Sequence, residues 1–434
     1  MRRALALLTL LLAAGAAQAR LSIEITGGME GALPIAVVPF QWQGPGPVPE
    51  AMGGIVAADL RRSGAFAPLA EAKLPARPHQ GQDVKFQRWR GAGVENLVVG
   101  RLVRKAQGRY EVRFQLFDVL SGEQLTGYSI QAEAGTLRRV AHQISDIVYE
   151  ELTGRPGAFD THIAYVTVVE GGDSAPRYKL AVADADGYNE QVILTSKQPL
   201  LSPSWAPDGK RLAYVSFEAG HTQVFVQDVT TGERRLVADF KGINGAPSWA
   251  PDGERLALVS SRTGDAEVYV MDLASEQLTR ITRHYSIDTE PDWAPDGGSL
   301  LFTSDRGGRP QLYRVPVDAG GAAGRPERLT FEGRYNARGA FSPDGKRIAM
   351  VHGAGGRFRI GVLNLETGAL RVLTDSRLDE SPSFAPNGSM IIYATEVNRR
   401  GVLEVVSVDG RAHQRLHLQG GDVREPAWSP FISN

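Results

Sequence analysis

Few groupings of side chains in this chain could perform chemistry. His413 and His417 stand four apart, a spacing that on a helix could hold a metal ion, but both fall in a stretch that reads as strand. Gly353-Ala354-Gly355-Gly356 is glycine-rich, yet it sits where a turn between two strands is due. No Gly-x-Ser-x-Gly elbow, Walker loop, His-Glu-x-x-His or dinucleotide fingerprint occurs. Cysteine is absent, which removes disulfides, thiolate metal sites, thiol nucleophiles and a lipoprotein anchor at once. Nucleophile, base and orienting group are nowhere recognisable together. The chain therefore reads as a binding protein rather than an enzyme, with no catalytic residue, metal ligand or cofactor.

The elements that would carry a binding surface are set by turns. With 49 glycines and 25 prolines in 434 residues, the composition favours many tight turns and hence β structure. The formal net charge of −1 gives no basic face for nucleic acid. Residues 1–19 read as a signal peptide: Arg2 and Arg3 lead an apolar run from Ala4 to Ala14, and Ala17-Gln18-Ala19 supplies the small-x-small cleavage pattern. That run is short for a bilayer, which takes about 20 residues, and no other stretch reads as a membrane span. The mature chain would begin at Arg20.

The second half repeats. Trp205-Ala206-Pro207-Asp208-Gly209 returns at Trp249, Trp293, Phe341 and Phe384, with Asn387 for Asp in the last, and Trp428-Ser429-Pro430 closes the series. The intervals of 44, 44, 48, 43 and 44 residues match four-stranded propeller blades. The extra residues of the third interval are assigned to a loop at 319–324. Pro-Asp-Gly suits a type I turn ending in a left-handed glycine. That role suits the repeated aspartates better than calcium, since the closely spaced oxygen ligands of a calcium loop are missing. Before Trp205, strands near Ile163–Val169, Lys179–Ala183 and Gln191–Leu194 lack a motif strand, and after Trp428 the motif strand lacks followers. The spacing therefore predicts that the strand ending at Trp428 completes the first of six blades and closes the ring. The repeated aromatics are expected to pack between blades.

Ahead of the repeats, alternation and helical spacing predict a small α/β domain. Ile35–Phe40 reads as a buried strand, Pro49–Arg62 as a helix stopped by Gly64, and Leu97–Val103, Tyr110–Leu116 and Leu125–Gln131 as a meander. Leu137, Val140, Ile144, Ile147, Val148 and Leu152 mark a long amphipathic helix. The expected organisation is 1–19 signal peptide, 20–152 α/β domain, 153–160 linker and 161–434 six-bladed β-propeller.

Two rings of positions just before each aromatic stand out because they do not repeat. Three places before it lie Ser202, Ala246, Glu290, Arg338, Ser381 and Glu425; one place earlier lie Leu201, Gly245, Thr289, Ala337, Glu380 and Arg424. Proline, by contrast, recurs two places before the aromatic in five blades. Either exposed loops drift freely here, or one mouth of the propeller tunnel meets a partner with different demands at each blade.

Taken together, the signal peptide, the α/β domain, the Leu152-Thr153-Gly154 junction and the six motif blades resemble the TolB family of the Tol-Pal system of Gram-negative bacteria. The most specific segments are Ile35–Phe40, Gly157-Ala158-Phe159 leading into Ile163–Val166, Asn244-Gly245-Ala246-Pro247 and Thr289-Glu290-Pro291. The resemblance implies a periplasmic scaffold that maintains outer-membrane integrity and constriction at division. It would dock the lipoprotein Pal at the propeller mouth through Leu201, Ser202, Asn244, Gly245, Ala246, Thr289, Glu290, Arg338, Glu380, Arg424 and Glu425. Glu290, Glu380 and Glu425 would set charge complementarity there. TolA would engage the mature N-terminal segment at Leu21, Ser22, Ile23, Glu24 and Ile25, either as a fixed edge strand or as one that orders and detaches. Other outer-membrane or peptidoglycan-associated proteins could also bind. The alternative is a propeller that holds a small molecule or glycan in its tunnel; calcium there is left open, with no motif for it.

Overall fold

The computed structural model describes residues 31–170, 176–318, 321–416, 418 and 420–432. The expected signal peptide, the segment Leu21–Ile25 and His417 lie outside the described residues; His413 opens a short strand.

The first layer is a mixed sheet. Strands β1 (Leu33–Val37), β2 (Gln41–Gln43), β3 (Phe66–Pro68), β4 (Asn96–Arg104), β5 (Arg109–Asp118) and β6 (Gln124–Glu133) order as β3-β1-β4-β5-β6, with β2 beside β4. Helices α1 (Met52–Arg62) and α3 (Leu137–Thr153) cover one face, burying Val56, Leu60, Val140, Ile144 and Val148 against Val98, Val112 and Leu116. Left-handed glycines terminate the chain's helical run at Gly64 and Gly154, where any Cβ would be strained. On the other face, the short helix α2 (Phe86–Gly91) seats Trp89 on Leu97, Val99 and Phe117. The sequence pattern gave no sign of β2, β3 or α2, which are too short for a period to register, and it started the first helix a few residues early.

Residues 154–161 carry no helix or strand, yet they are well anchored. The amides of Phe159 and Asp160 donate to the Asp146 carboxylate at 2.7 and 3.0 Å, and Phe159 is fully buried against Tyr149.

Six four-stranded blades follow, the fourth enlarged by a small hairpin at 317–322 where the longest repeat interval falls. The innermost strands are Leu200–Trp205, Asn244–Trp249, Asp288–Trp293, Tyr335–Phe341, Asp379–Phe384 and Asp422–Trp428. The last of these pairs with His162–Glu170, so the C-terminal strand completes the first blade as the spacing predicts. In five motif turns an Asp or Asn oxygen accepts the amide two residues on. In the second blade Gly209 is left-handed, and Asp208 Oδ1 accepts the amides of Lys210 and Arg211 at 2.8 and 3.2 Å. Asp208 also holds Arg211, whose guanidinium lies 4.8 Å over the Trp249 ring of the next blade. Asp252, Arg255 and Trp293 repeat the arrangement at the same 4.8 Å. The tryptophans are buried between blades, Trp205 and Trp249 donating Nε1 to the carbonyls of Ala427 and Ser204. Gly355 and Gly356, both at positive φ, form a plain hairpin turn.

The candidate tunnel and its free mouth

The α/β layer sits on the end of the propeller that carries the motif turns. Gly64 abuts Ser407 and Ala412, Asn387 Nδ2 donates to the Pro156 carbonyl at 2.9 Å, and Arg62 donates to the Ala185 carbonyl at 3.0 Å. Every innermost strand starts at the opposite end, so that mouth is uncovered among the described residues.

Inside, the innermost strands surround a cavity of about 540 Å³. Ser202, Ala246, Glu290, Arg338, Ser381 and Glu425 all lie in its wall, and all six adopt left-handed backbone, with φ between 45 and 54°. The register of each innermost strand shifts there, making a β-bulge in every blade. Residue type does not repeat at this ring, but backbone conformation does, so the position is structural as well as variable. Glycine would be the relaxed choice, and a side chain costs on the order of 1 kcal/mol at each bulge. No blade uses glycine.

The side chains explain part of that. Arg338 Nε lies 3.0 Å from Glu290 Oε1, and its Nη1 lies 3.1 Å from Glu425 Oε1 and bonds Ser381 Oγ. Glu425 in turn accepts the Ser202 amide at 3.3 Å, and Glu290 accepts the Arg338 amide and Thr303 Oγ1, each at 2.9 Å. Burial alone would lower the Arg338 guanidinium, but Glu425 and Glu290 outweigh it and raise it above its usual value. The network spans five blades; the sixth contributes only Ala246. In the chain by itself, both Glu290 and Glu425 pair with Arg338. Asp292, half-buried in the same wall, is pushed up to about 7 by desolvation, although the Phe341 amide and Ser248 bond to it.

The remaining sequence-selected residues divide. Leu201, Glu380 and Arg424 are exposed at the mouth, Arg424 pairing with Asp422, while Gly245 and Thr289 are half-buried. Asn244, by contrast, is fully buried. Its side chain takes the Phe240 amide and donates to the Phe240 and Thr222 carbonyls at 2.7 and 3.1 Å, clamping the loop ahead of its strand. Asp288, Asn336 and Asp379 occupy the same strand position, equally buried, held by Arg306, the Glu332 carbonyl and Thr374.

The clamped loops carry what the sequence reading missed. Ile243, Tyr285, Ile287 and Phe331 are 52, 82, 57 and 73% exposed on three successive loops of the free mouth. Apolar residues in otherwise polar loops, six to ten places before the aromatic, are the signal that could have found them. Bearing on a tunnel ligand, Trp205 and Trp249 are engaged between blades and Glu290 and Glu425 are ion-paired, while Phe431 is the exposed aromatic among the described lining residues.

A second charged cluster joins the layer to the propeller. His142 Nδ1 lies 2.7 Å from Asp59 Oδ2 and its Nε2 3.5 Å from Asp186 Oδ2, all three buried. These donors could face a metal, but Arg62 holds Asp59 at 3.0 Å and Arg138 holds Asp186, and two guanidiniums repel a cation. The cluster is an ion-pair network. Among the described residues no helix is long and apolar enough to cross a membrane.

Comparison with known proteins matches residues 149–432 to the TolB beta propeller domain and residues 21–125 to the TolB amino-terminal domain. The Tol-Pal system protein TolB of Thioalkalivibrio sulfidiphilus is 59% identical over 435 residues, covering 100% of this chain and 98% of that one. Its counterpart in Nitrosococcus oceani is 58% identical over 426 residues, covering 98 and 97%. The crystal structure of TolB from Acinetobacter baumannii aligns with a TM-score of 0.86 at 41% identity, over 95% of this chain and 100% of that one.

Proposed function

This chain belongs to the TolB family of the Tol-Pal system, and from that premise we propose that it is a periplasmic docking protein without enzymatic activity. Pal binds the free propeller mouth, and TolA binds the segment Leu21–Ile25 of the mature chain, which would begin at Arg20. The reading rests mainly on the apolar crescent of Ile243, Tyr285, Ile287 and Phe331, set on clamped loops at the end the α/β layer leaves open. Aromatic and aliphatic side chains held rigidly in the open are the usual anchors of a protein interface. Leu201 and Thr289 extend the crescent, Glu380 and Arg424 give it a charged rim, and Ala246 beneath it leaves room for an inserted segment.

Titration calorimetry with purified Pal tests this. Phe331→Ser should weaken Pal binding about tenfold or more with a nearly unchanged melting temperature, since the ring is 73% exposed and meets the fold mainly through the Arg328 guanidinium 5.1 Å over it. Deleting residues 20–31 should abolish TolA binding and leave Pal affinity alone. Wild-type Pal affinity for Phe331→Ser and Tyr285→Ser together would move the docking site elsewhere.

A further inference from the structure

The sheet face away from α1 and α3 is only half covered. Where α2 ends, β4, β5 and β6 leave a groove of about 470 Å³, bounded by residues 79–82, and within the range of small-molecule sites. Register places Val99, Gln115 and Gly127 in one row across its floor, and Arg101, Arg113 and Ser129 in the next. Gly127 keeps the floor open: a Cβ there would come within 2.9 Å of the Phe114 carbonyl and 3.0 Å of Gln124 Nε2. The wall is tied on by the Gly81 amide, which donates to Gln115 Oε1 at 2.8 Å.

Gln115 Nε2 donates to Gln124 Oε1 at 2.5 Å, and Arg113 and Ser129 are spent on Glu111, but three other polar groups of the groove are less engaged. Among the described residues Arg101 pairs with no carboxylate; its one contact is Gln80 Oε1 at 3.4 Å. His79 Nδ1 is buried without a partner, and buried polar atoms without partners are rare enough to suggest a missing one. Gln82 has no hydrogen bond among the described residues. Charge is one-sided, because Arg113 and Lys105 share the single carboxylate of Glu111, which Arg113, Lys105 and Ser129 hold down at about 2.

From this we infer that the groove binds an acidic sugar. Arg101 takes the carboxylate, and Gln82 and His79 take hydroxyls. Guanidinium and amide groups offer the paired donors and acceptors that a polyhydroxylated anion requires. This site is remote from the propeller mouth, and the inference is independent of where Pal docks.

Calorimetry on the mature chain with glucuronic acid, glucose and inorganic phosphate tests it. Glucuronic acid should bind saturably, and glucose, lacking the carboxylate, about tenfold or more weakly, the worth of one charge-assisted contact. Arg101→Gln should lower glucuronic acid affinity by a similar factor with the melting curve retained, and Gln82→Ala, on the exposed wall, should lower it less. Absence of saturable binding, phosphate binding as tightly as glucuronic acid, or unchanged affinity in both variants would overturn the inference.

Discussion

The two ends of the propeller are built on different terms. At the end beneath the α/β layer, an Asp or Asn caps five of the hairpin turns, and in two of them an arginine reaches the aromatic of the next blade. At the free end the loops differ in length and content; in four blades a buried Asn or Asp holds the loop from below, and three of these loops expose apolar side chains above. Between them lies a ring uniform in backbone and varied in side chain. Uniform parts are fixed by needs each blade meets alone. Varied parts answer to something common to the whole ring.

The largest effect should come from removing what both ends depend on. Deleting residues 422–434 takes away the strand that pairs with His162–Glu170, leaving an open blade edge and an unpaired sheet. Cooperative melting should be lost or shifted down by well over about 10 °C in calorimetry; an unchanged curve would mean the ring is not closed this way.

Arg338→Ala should come next, because it strands Glu290 and Glu425 in the tunnel wall. Arg338 is 34% exposed, so the cost is discounted from a fully buried pair to about 2 kcal/mol by denaturant unfolding. Adding Glu290→Gln and Glu425→Gln should recover most of it. If Arg338→Ala is neutral, the ring is held by backbone alone.

At the covered end, pH separates the junction from the ring. Burial disfavours the His142 imidazolium, but Asp59 and Asp186 overcome this and raise it to about 9 from 6.5. The groups around it are Arg62 on α1, Arg138 and Asp146 on α3, and Asp184 on the facing turn. The folded state keeps a proton that the unfolded chain releases, so this stabilisation is complete below pH 6.5 and fades as pH rises toward about 9. Thermal melts should show that decline, and His142→Gln should flatten it.

The smallest stability change belongs to the free end. Ala246→Trp points into open tunnel and should leave the melting temperature nearly as it was, while reducing Pal affinity. A large loss of stability instead would place Ala246 with the structural ring rather than the docking surface.

Much of the fold was legible because it is local. An aromatic, a proline and an Asp-Gly turn recurring about every 44 residues specify a blade whose strands are neighbours in sequence, and the unmatched strands at either end leave one way to close. The long helix Leu137–Thr153 announced itself by its period in the same way. The site was legible in position but not in role. Sequence located the ring of Ser202, Ala246, Glu290, Arg338, Ser381 and Glu425, yet bulge geometry leaves no mark on residue type.

What the sequence determined by itself, then, was the blade, the number of blades and the end from which the variable residues emerge, since hydrophobic alternation and turn chemistry act within a few residues. Only the tertiary structure decided that Arg338 consumes Glu290, 48 residues away, and Glu425, 87 away, and that Asp59 meets His142 across 83 residues. It likewise decided which mouth the α/β layer covers and that Asn244 lies beneath the surface rather than on it. Charge pairing and burial depend on distance in space, and in a closed ring that distance bears no relation to separation along the chain.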